Sequence, residues 1–310
     1  MKNEQPDIFC LNPKYSTTRM VTKEQPRIEN DPSSEVHTRP FLPSHHQQQG
    51  EGGLRTKGYF KKSFNDKPLV SIITVVLNGE KHFAHTIQSV IAQTYDNVEY
   101  IIIDGGSTDG TVDIIKKYED KIDYWISEPD EGIYDAMNKG IDLFTGKWLY
   151  YLGSDDFLLR YALANLQLQQ FKTDNVIYGD VYKPCCHRIY DGKFSKYKIM
   201  LRNICHQSVF YGKDTIKGKH FDLSFKVQSD QHMNMRLFVE YIFIYRPILV
   251  CIYNDYDGHS AITRDKVFHA QISKLIKINF GIYYYSLFLA RKIFVRTMEF
   301  FHIKSIIKII

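Results

Sequence analysis

Short apolar segments alternate with helical patterns between Pro68 and Leu152, and this alternation limits the fold more than any other feature of the chain. The segment at 69–77 is rich in Val and Ile, as expected for a parallel strand covered on both faces. Further strands are expected at 98–103, 122–126 and 148–152, and a helical pattern follows each of the first three strands. We therefore predict an α/β fold with an open, mostly parallel sheet flanked by helices.

Residues 1–66 have the composition of a poorly ordered leader. Six of the ten prolines lie between Pro6 and Pro43, and a polar stretch rich in His, Gln and Gly follows at 44–53. Such a segment offers little apolar surface to offset the conformational entropy lost on folding. We predict a disordered leader at 1–66, followed by a folded domain at 67–262, and we expect deletion of residues 1–60 to leave thermal stability nearly unchanged.

Residues 263–310 are predicted to form a basic, aromatic helical tail. From residue 271 to the end, seven Lys and Arg face a single Glu, a net charge of +6, although the whole chain carries only +5. The apolar run at 278–290 is shorter than the roughly 20 residues that a membrane span needs. Such a tail suits either an anionic membrane surface or packing on the folded domain.

Cysteine content and charge distribution narrow the class of protein. The five cysteines have no regular spacing, so neither a disulfide framework nor a zinc site is expected, and a reducing cytoplasm fits best. No apolar run follows a basic start at the N-terminus, so no secretory signal is expected. Because the basic excess lies in the tail, it argues against general nucleic-acid binding.

Acidic and small polar residues follow all four predicted strands. The carboxyl ends of parallel strands meet at one edge of a sheet, so these residues are expected to line one ligand-binding crevice. The four segments in chain order are Asn78–Glu80, Asp104–Thr111, Glu128–Gly132 and Gly153–Asp156.

Asp155 and Asp156 are adjacent acids at the end of the fourth strand. Their mutual repulsion would be relieved by a divalent cation, and carboxylate oxygens suit Mg²⁺ or Mn²⁺, which also bind substrate phosphates. An isolated pair of acids in a loop is usually solvated, but the neighbouring strand ends favour a metal site here. Neither a dinucleotide fingerprint nor a P-loop has its Gly-rich motif in this chain.

Asp104 ends the second predicted strand and precedes two glycines. Its carboxylate could accept hydrogen bonds from a base or a ribose, whereas the same pattern also suits a turn-forming Asp. Asp109 follows Ser107 and Thr108 and is better suited to capping the next helix.

Three of these segments, at 71–78, 104–111 and 128–140, resemble the family 2 glycosyltransferases, which are inverting enzymes with the GT-A fold. Gly153–Asp156 stands where that family has a DXD-like metal motif. The segment at 128–140 looks like the subgroup that builds bacterial capsule, exopolysaccharide or O-antigen chains. The resemblance covers 68–260 and is strongest in its first half.

This resemblance implies a metal-dependent transfer of sugar from a nucleotide-diphosphate donor to a glycan or lipid-linked acceptor. It places Asn78 beside the nucleotide and Asp104 on the base or ribose, with Asp156 on the metal and Asp155 nearby. The floor between nucleotide and sugar would be formed by Asp130, Gly132 and Asn138. Ser154 replaces an acid of a literal DXD, so which of the two acids contacts the metal stays open.

An inverting transfer needs a carboxylate that takes the proton of the acceptor hydroxyl. Asp230 best matches the family's base, with Asp222 and Asp180 as rivals, although Asp230 would also suit a helix N-terminus. His206 resembles a His of this subgroup that faces the acceptor or a phosphate, but a buried, hydrogen-bonded His fits equally.

Two other functions use a similar set of residues. A nucleotidyltransferase would have a Gly-rich loop with Lys or Arg after the first strand, and Asn78–Glu80 is not such a loop. A catalytically silent nucleotide-sugar-binding protein would have lost the metal acids or the base, yet all of them are present.

Overall fold

The computed structural model describes residues 7–30, 32–34, 36–44, 46–256 and 265–300. The strands are β1 (Val21–Thr22), β2 (Gly50–Gly52), β3 (Phe60–Lys61), β4 (Val70–Val76), β5 (Val98–Asp104), β6 (Tyr124–Ser127), β7 (Trp148–Tyr151), β8 (Phe157–Leu158), β9 (Asn175–Lys183), β10 (Arg188–Tyr190), β11 (Val209–Gly212) and β12 (Ile242–Ile252). The α-helices are α1 (Phe83–Ile91), α2 (Thr111–Lys117), α3 (Ile133–Leu143), α4 (Ala162–Leu166), α5 (Lys196–Leu201), α6 (Lys213–Ile216), α7 (Ser229–Glu240) and α8 (Lys266–Phe300).

The centre of the molecule is one twisted sheet in the order β2-β6-β5-β4-β7-β11-β9-β12-β8. Strands β6, β5, β4 and β7 are neighbours and run parallel, with Ile72 of β4 paired to Tyr100 on one side and Tyr150 on the other. All seven residues of β5 are buried, which explains why five of them are apolar without alternation, while the two acids, Glu99 and Asp104, are hydrogen-bonded. The α/β sheet flanked by helices is confirmed.

Helices cover both faces of the sheet. Ile72 faces a core that contains residues of α1, α2 and α4, while its neighbour Ile73 faces a core that contains residues of α3, α5 and α7. Consecutive strand residues point to opposite faces, so a strand buried on both sides contributes to both cores. This double packing fixes where the carboxyl ends of β4 and β7 lie.

The second half of the sheet is mixed rather than parallel. Strand β11 is antiparallel to both β7 and β9, whereas β12 runs parallel to β9. Strand β12 was not expected from the sequence, because Pro247 lies inside it and a proline usually marks an edge strand or a bulge. The register of β12 shifts between Tyr245 and Leu249, which accommodates that proline.

The prediction of a disordered leader is wrong for the described residues between 7 and 66. Strand β2 extends the sheet by pairing antiparallel with β6. Ser16 and Thr17 are fully buried, and their hydroxyls donate to the carbonyl oxygens of Val90 and Lys121. Order arises here from polar contacts with distant residues, which composition does not reveal. Residues 1–6, 31, 35 and 45 lie outside the described residues.

Arg55 anchors the leader to the sheet. Its guanidinium lies 2.6 Å from Oε1 of Glu99, and the two side chains are only 2% and 1% exposed. The same guanidinium donates to the carbonyl oxygens of Pro40 and Leu143. A buried ion pair of this kind is costly to break, so the leader is part of the folded unit. The predicted domain boundary at 66/67 is untested.

The tail is helical, as predicted, within the described residues. Two helical segments of α8 meet at Gly281, whose φ of 82° breaks the helix. The first segment packs against α5 and α7, and the ring of Phe268 meets Phe225 edge-on at 5.5 Å between centroids. Within the described part of the chain, no helix is long and apolar enough to cross a membrane. The predicted boundary at 262/263 and residues 301–310 lie outside the described residues.

Candidate active site

A cavity of about 500 Å³ opens at the carboxyl ends of β4 and β7. Its walls come from the β4–α1 loop, the first turns of α3 and α7, the end of β9 and the segments at 203–207 and 253–254. Four of the predicted site residues line it: Asn78, Asp155, His206 and Asp230. The expected crevice at the strand ends therefore exists, and sequence positions more than 150 residues apart meet in it.

Asn78 joins the first two strand ends. Its backbone N–H donates to Oγ of Ser107 at 2.7 Å, and its Oδ1 accepts from the backbone N–H of Thr108 at 2.9 Å. Asn78 has a φ of 53°, a conformation that Asn tolerates better than most residues. These two hydrogen bonds hold the β4–α1 loop, which lines the cavity, against the loop after β5.

Asp104 does not line the cavity. It is fully buried, and its carboxylate accepts from the backbone N–H groups of Gly106 and Ser107 and from the hydroxyls of Ser107 and Ser127. Three of these hydrogen bonds are to Oδ2 and one is to Oδ1, and all come from the loop after β5 or from the end of β6. In this structure Asp104 organises the loop after β5, and its contact with a base or ribose remains a prediction.

Asp130, Gly132 and Asn138 also lie off the cavity wall. Oδ1 of Asp130 accepts from the backbone N–H of Gly132 at 2.8 Å, and burial raises the pKa of Asp130. Asn138 is buried and exchanges two hydrogen bonds with the backbone of Phe221, at 3.0 and 2.7 Å. Asn138 thus holds a neighbouring segment in place, and the predicted sugar-floor role of the three residues is untested.

The paired acids lie side by side at the end of β7. Asp156 is 2% exposed, and its Oδ1 accepts from the backbone N–H of Asn254 at 2.8 Å. Asp155 lines the cavity, and its Oδ2 accepts from the side-chain amide of the same Asn254 at 3.1 Å. Burial and then the charge of Asp155 raise the pKa of Asp156 to about 7, although Asn254, His206 and Gln207 lower it in part.

The donor set of these acids fits a divalent cation that completes its coordination with substrate. Oδ2 of Asp156 is buried and has no hydrogen-bond partner among the described residues. Those residues contain no group of three or more His, Cys, Asp or Glu side chains able to enclose a metal. Mg²⁺-type sites commonly use one or two carboxylates together with phosphates and water. Two acids beside an open cavity meet that requirement.

Asp230 lies across the cavity in the first turn of α7 and is 8% exposed. Its Oδ2 accepts from the side-chain amide of Asn203 at 2.7 Å and lies 3.3 Å from Nδ1 of His206. Asn203 in turn accepts from Asn234 at 2.9 Å, so a chain of amides fixes the carboxylate. Asp230 is therefore held in one orientation at the cavity wall.

The two rivals of Asp230 lie elsewhere. Asp180 accepts from the backbone N–H of Gly192 at 2.7 Å and from the hydroxyl of Tyr245 at 2.5 Å. Asp222 is exposed and caps a turn by accepting from the backbone N–H of Ser224 at 2.9 Å. Neither lines the cavity. Of the three acids, the geometry favours Asp230 as the base.

Sequence reasoning missed Tyr134, Asn203 and Asn254, which position the predicted acids. The hydroxyl of Tyr134 lies 2.9 Å from Oδ1 of Asp230 and 2.6 Å from the carbonyl oxygen of Val227. Tyr134 belongs to the segment at 128–140 that carries the strongest resemblance, which was a usable signal. No comparable sequence signal marked Asn203 or Asn254, because the residues that they contact are distant in sequence.

Solved structures with this fold are GT-A glycosyltransferases. The Staphylococcus aureus TarS structure in complex with UDP-GlcNAc superposes with a TM-score of 0.59 at 16% identity, covering 67% of this chain and 66% of that chain. The mannosyltransferase PcManGT from Pyrobaculum calidifontis, in complex with GDP-Man and Mn²⁺, gives a TM-score of 0.52 at 16% identity over 63% of this chain and 59% of that one. At this identity the likeness establishes the fold alone.

The family itself follows from sequence. The model of glycosyl transferase family 2 matches residues 71–241, more than half of the chain, so the chain belongs to that family and is a glycosyltransferase. It is 33% identical over 211 residues to a PGL/p-HBAD biosynthesis glycosyltransferase of Mycobacterium bovis, and the matched region covers 65% of this chain and 82% of the relative. An uncharacterized glycosyltransferase of Mycobacterium tuberculosis is 34% identical over 201 residues, 59% of this chain and 70% of the relative.

Proposed function

We propose that this protein transfers a sugar from a nucleotide-diphosphate sugar to a glycan or lipid-linked acceptor, with inversion, in bacterial surface polysaccharide synthesis. The observation that carries the proposal is that Asp230 and Asp155 line one cavity from separate elements, with the buried Asp156 next to Asp155 in the chain. The solved neighbours hold UDP-GlcNAc or GDP-Man, and the mycobacterial relative is named for PGL/p-HBAD biosynthesis.

Asp230 is the general base in this proposal. The acceptor oxygen forms a bond to the anomeric carbon while the bond from that carbon to the diphosphate oxygen breaks, and the acceptor proton passes to Asp230. Asn203, His206 and Tyr134 hold the carboxylate in place, so little reorganisation is needed when the hydroxyl arrives. A base on the opposite face from the leaving group produces inversion.

Asp155 and Asp156 would hold Mg²⁺ or Mn²⁺, and the bound ion would neutralise charge on the diphosphate. Asn254 orients both acids through its backbone and its side chain. Asn78 would then border the nucleotide from the β4 side, because it lies on the cavity wall nearest the loop after β5.

The tail would bring the enzyme to an anionic membrane surface, where a lipid-linked acceptor resides. A groove of about 620 Å³ lies between the two segments of α8. Four cationic residues line it together with apolar side chains: Lys266, Arg291, Lys292 and Arg296. Nearby Ile282 and Ile293 are well exposed. A helix that exposes both cationic and apolar side chains is suited to the interface of an acidic bilayer.

A donor panel tests the proposed function. The purified chain is incubated with UDP-, GDP- and dTDP-sugars and Mn²⁺, and release of nucleoside diphosphate is followed with and without EDTA. We expect release from at least one donor, dependent on the metal, with loss in Asp156→Asn. Metal-independent release, or no binding of any donor, would contradict the proposal. Flotation with acidic and neutral vesicles tests the membrane surface separately, and equal binding to both would reject it.

A further inference from the structure

Lys183 presents a positive charge to the cavity from the end of β9. Its Nζ lies 4.6 Å from the ring centroid of Tyr190 and 4.9 Å from that of Tyr253, and both rings also line the cavity. No Asp or Glu of the described residues forms an ion pair with it. The side chain is half-buried, so this charge is held at the cavity wall rather than free in solvent.

Two aromatic rings hold an ammonium group without neutralising it. A cation–π contact attracts the charge through the ring quadrupole and leaves the N–H groups able to donate. The other cationic side chains near the site differ: Lys81 and Lys226 line the cavity but are exposed, and Lys139 is paired with Glu128 at 2.7 Å. Because no described carboxylate forms an ion pair with Lys183, its ammonium group can pair with an anionic ligand that enters the cavity.

The position of Lys183 indicates which ligand this is. Strands β9 and β12 run parallel with Tyr182 opposite Ile252, which brings Lys183 beside Tyr253. The next residue, Asn254, holds both Asp155 and Asp156. Lys183 and Asp155 thus both line the cavity, and the Tyr253–Asn254 segment contacts each of them. Carboxylates alone would repel a polyphosphate. A fixed cation near them would attract an anion to this part of the cavity.

We infer that Lys183, clamped by Tyr190 and Tyr253, binds the diphosphate of the nucleotide donor and stabilises it as it leaves. This inference rests on the proposed function and adds a residue that the sequence motifs do not contain. When the bond to the anomeric carbon breaks, negative charge grows on the diphosphate oxygen. A preoriented cation at that place favours the transition state over the ground state.

Calorimetry with UDP, GDP and inorganic pyrophosphate tests this inference, each with Mn²⁺ and with EDTA. Lys183→Met keeps the length of the side chain and removes the charge, and we expect about tenfold weaker binding or more in both conditions. Lys183→Arg should stay within about threefold of wild type, because it retains a cation. Lys116→Met removes an exposed lysine of α2 far from the cavity and should not change binding.

The tyrosine clamp supplies a second test that does not touch the lysine. Tyr253→Leu removes the ring face and should weaken pyrophosphate binding in the same direction as Lys183→Met, whereas Tyr253→Phe preserves the ring face and should weaken it less than Tyr253→Leu. Thermal melting of each variant shows whether the fold is intact.

The outcomes separate this inference from the proposed function. If wild type binds none of the probes and no donor, the proposed function fails and the inference with it. If wild type binds but Lys183→Met binds equally well, the inference alone is wrong. If Lys183→Met changes only the KM for a phosphorylated acceptor, the lysine serves the acceptor and the diphosphate assignment is overturned.

Discussion

The hydroxyl of Tyr134 lies 2.9 Å from Oδ1 of Asp230, which joins the first turn of α3 to the first turn of α7 across the cavity. The same hydroxyl lies 2.6 Å from the carbonyl oxygen of Val227, and its single proton can serve one of the two acceptors at a time. Tyr134 is nearly buried, and burial together with the negative charge of Asp230 raises its pKa, so the phenol stays protonated as a donor.

Tyr134→Phe should lower turnover about tenfold while leaving donor affinity nearly unchanged. The ring still fills its place, but the donor that orients Asp230 is lost, at a cost of about 1 kcal/mol. Steady-state kinetics with saturating donor measures this, with exposed Tyr161→Phe as the matched control. Unchanged turnover in Tyr134→Phe would mean that Asn203 and His206 position the carboxylate without it.

Arg55→Met should destabilise the protein strongly. It leaves the buried carboxylate of Glu99 without its guanidinium partner, and breaking such a pair costs about 3–5 kcal/mol. Lys62→Met is the control, because the pair of Lys62 with Glu24 is exposed on both sides and contributes about 0–1 kcal/mol. Urea unfolding of both variants measures the difference. Equal stabilities would show that the leader does not depend on the buried pair.

Glu99 should make that stabilisation depend on pH. Burial alone would raise the pKa of Glu99, but Arg55 and hydrogen bonds from Ser71 and Thr145 outweigh it, so the pKa lies below its usual range. A carboxyl group whose pKa is lowered by folding stabilises the protein at pH values above its pKa in the unfolded state, which is about 4.3. This stabilisation is lost as the pH falls through the pKa of the group in the folded state.

The measurement compares wild type with Glu99→Gln at several pH values. The difference in free energy of unfolding should be largest from about pH 5 upward and should shrink progressively below about pH 4. Other carboxylates titrate in both proteins and largely cancel. A difference that stays constant down to pH 3 would show that the ionised form of Glu99 is not favoured in the fold.

Much of the central sheet could be predicted from sequence because its signals are local. The strands expected at 98–103 and 148–152 appear at Val98–Asp104 and Trp148–Tyr151, since most residues of a strand buried on both faces are apolar. The strand-end acids were found for a similar reason. Polar residues that directly follow such strands lie at the carboxyl edge of the sheet.

Long-range polar contacts could not be predicted. The leader has a Pro-rich and Gln-rich sequence, yet it is ordered by single contacts. One example is the hydrogen bond from the hydroxyl of Ser16 to the carbonyl oxygen of Val90, 74 positions away. Asn254 acts on Asp155 and Asp156 across almost one hundred positions. For Asp104, the sequence pattern correctly predicted a position at a strand end. It could not reveal that the carboxylate accepts hydrogen bonds from groups of the protein itself, such as the backbone N–H of Ser107 and the hydroxyl of Ser127.

Asp230→Asn tests the central claim most directly. The amide keeps the shape of the side chain but cannot accept the acceptor proton, so turnover should fall by about 10²–10⁴-fold. Affinity for the donor, measured by calorimetry on the same sample, should stay within about twofold, because Asp230 belongs to α7 and the acids proposed to hold the metal follow β7. Transfer at the wild-type rate by Asp230→Asn, with intact folding, would contradict the assignment of Asp230 as the base.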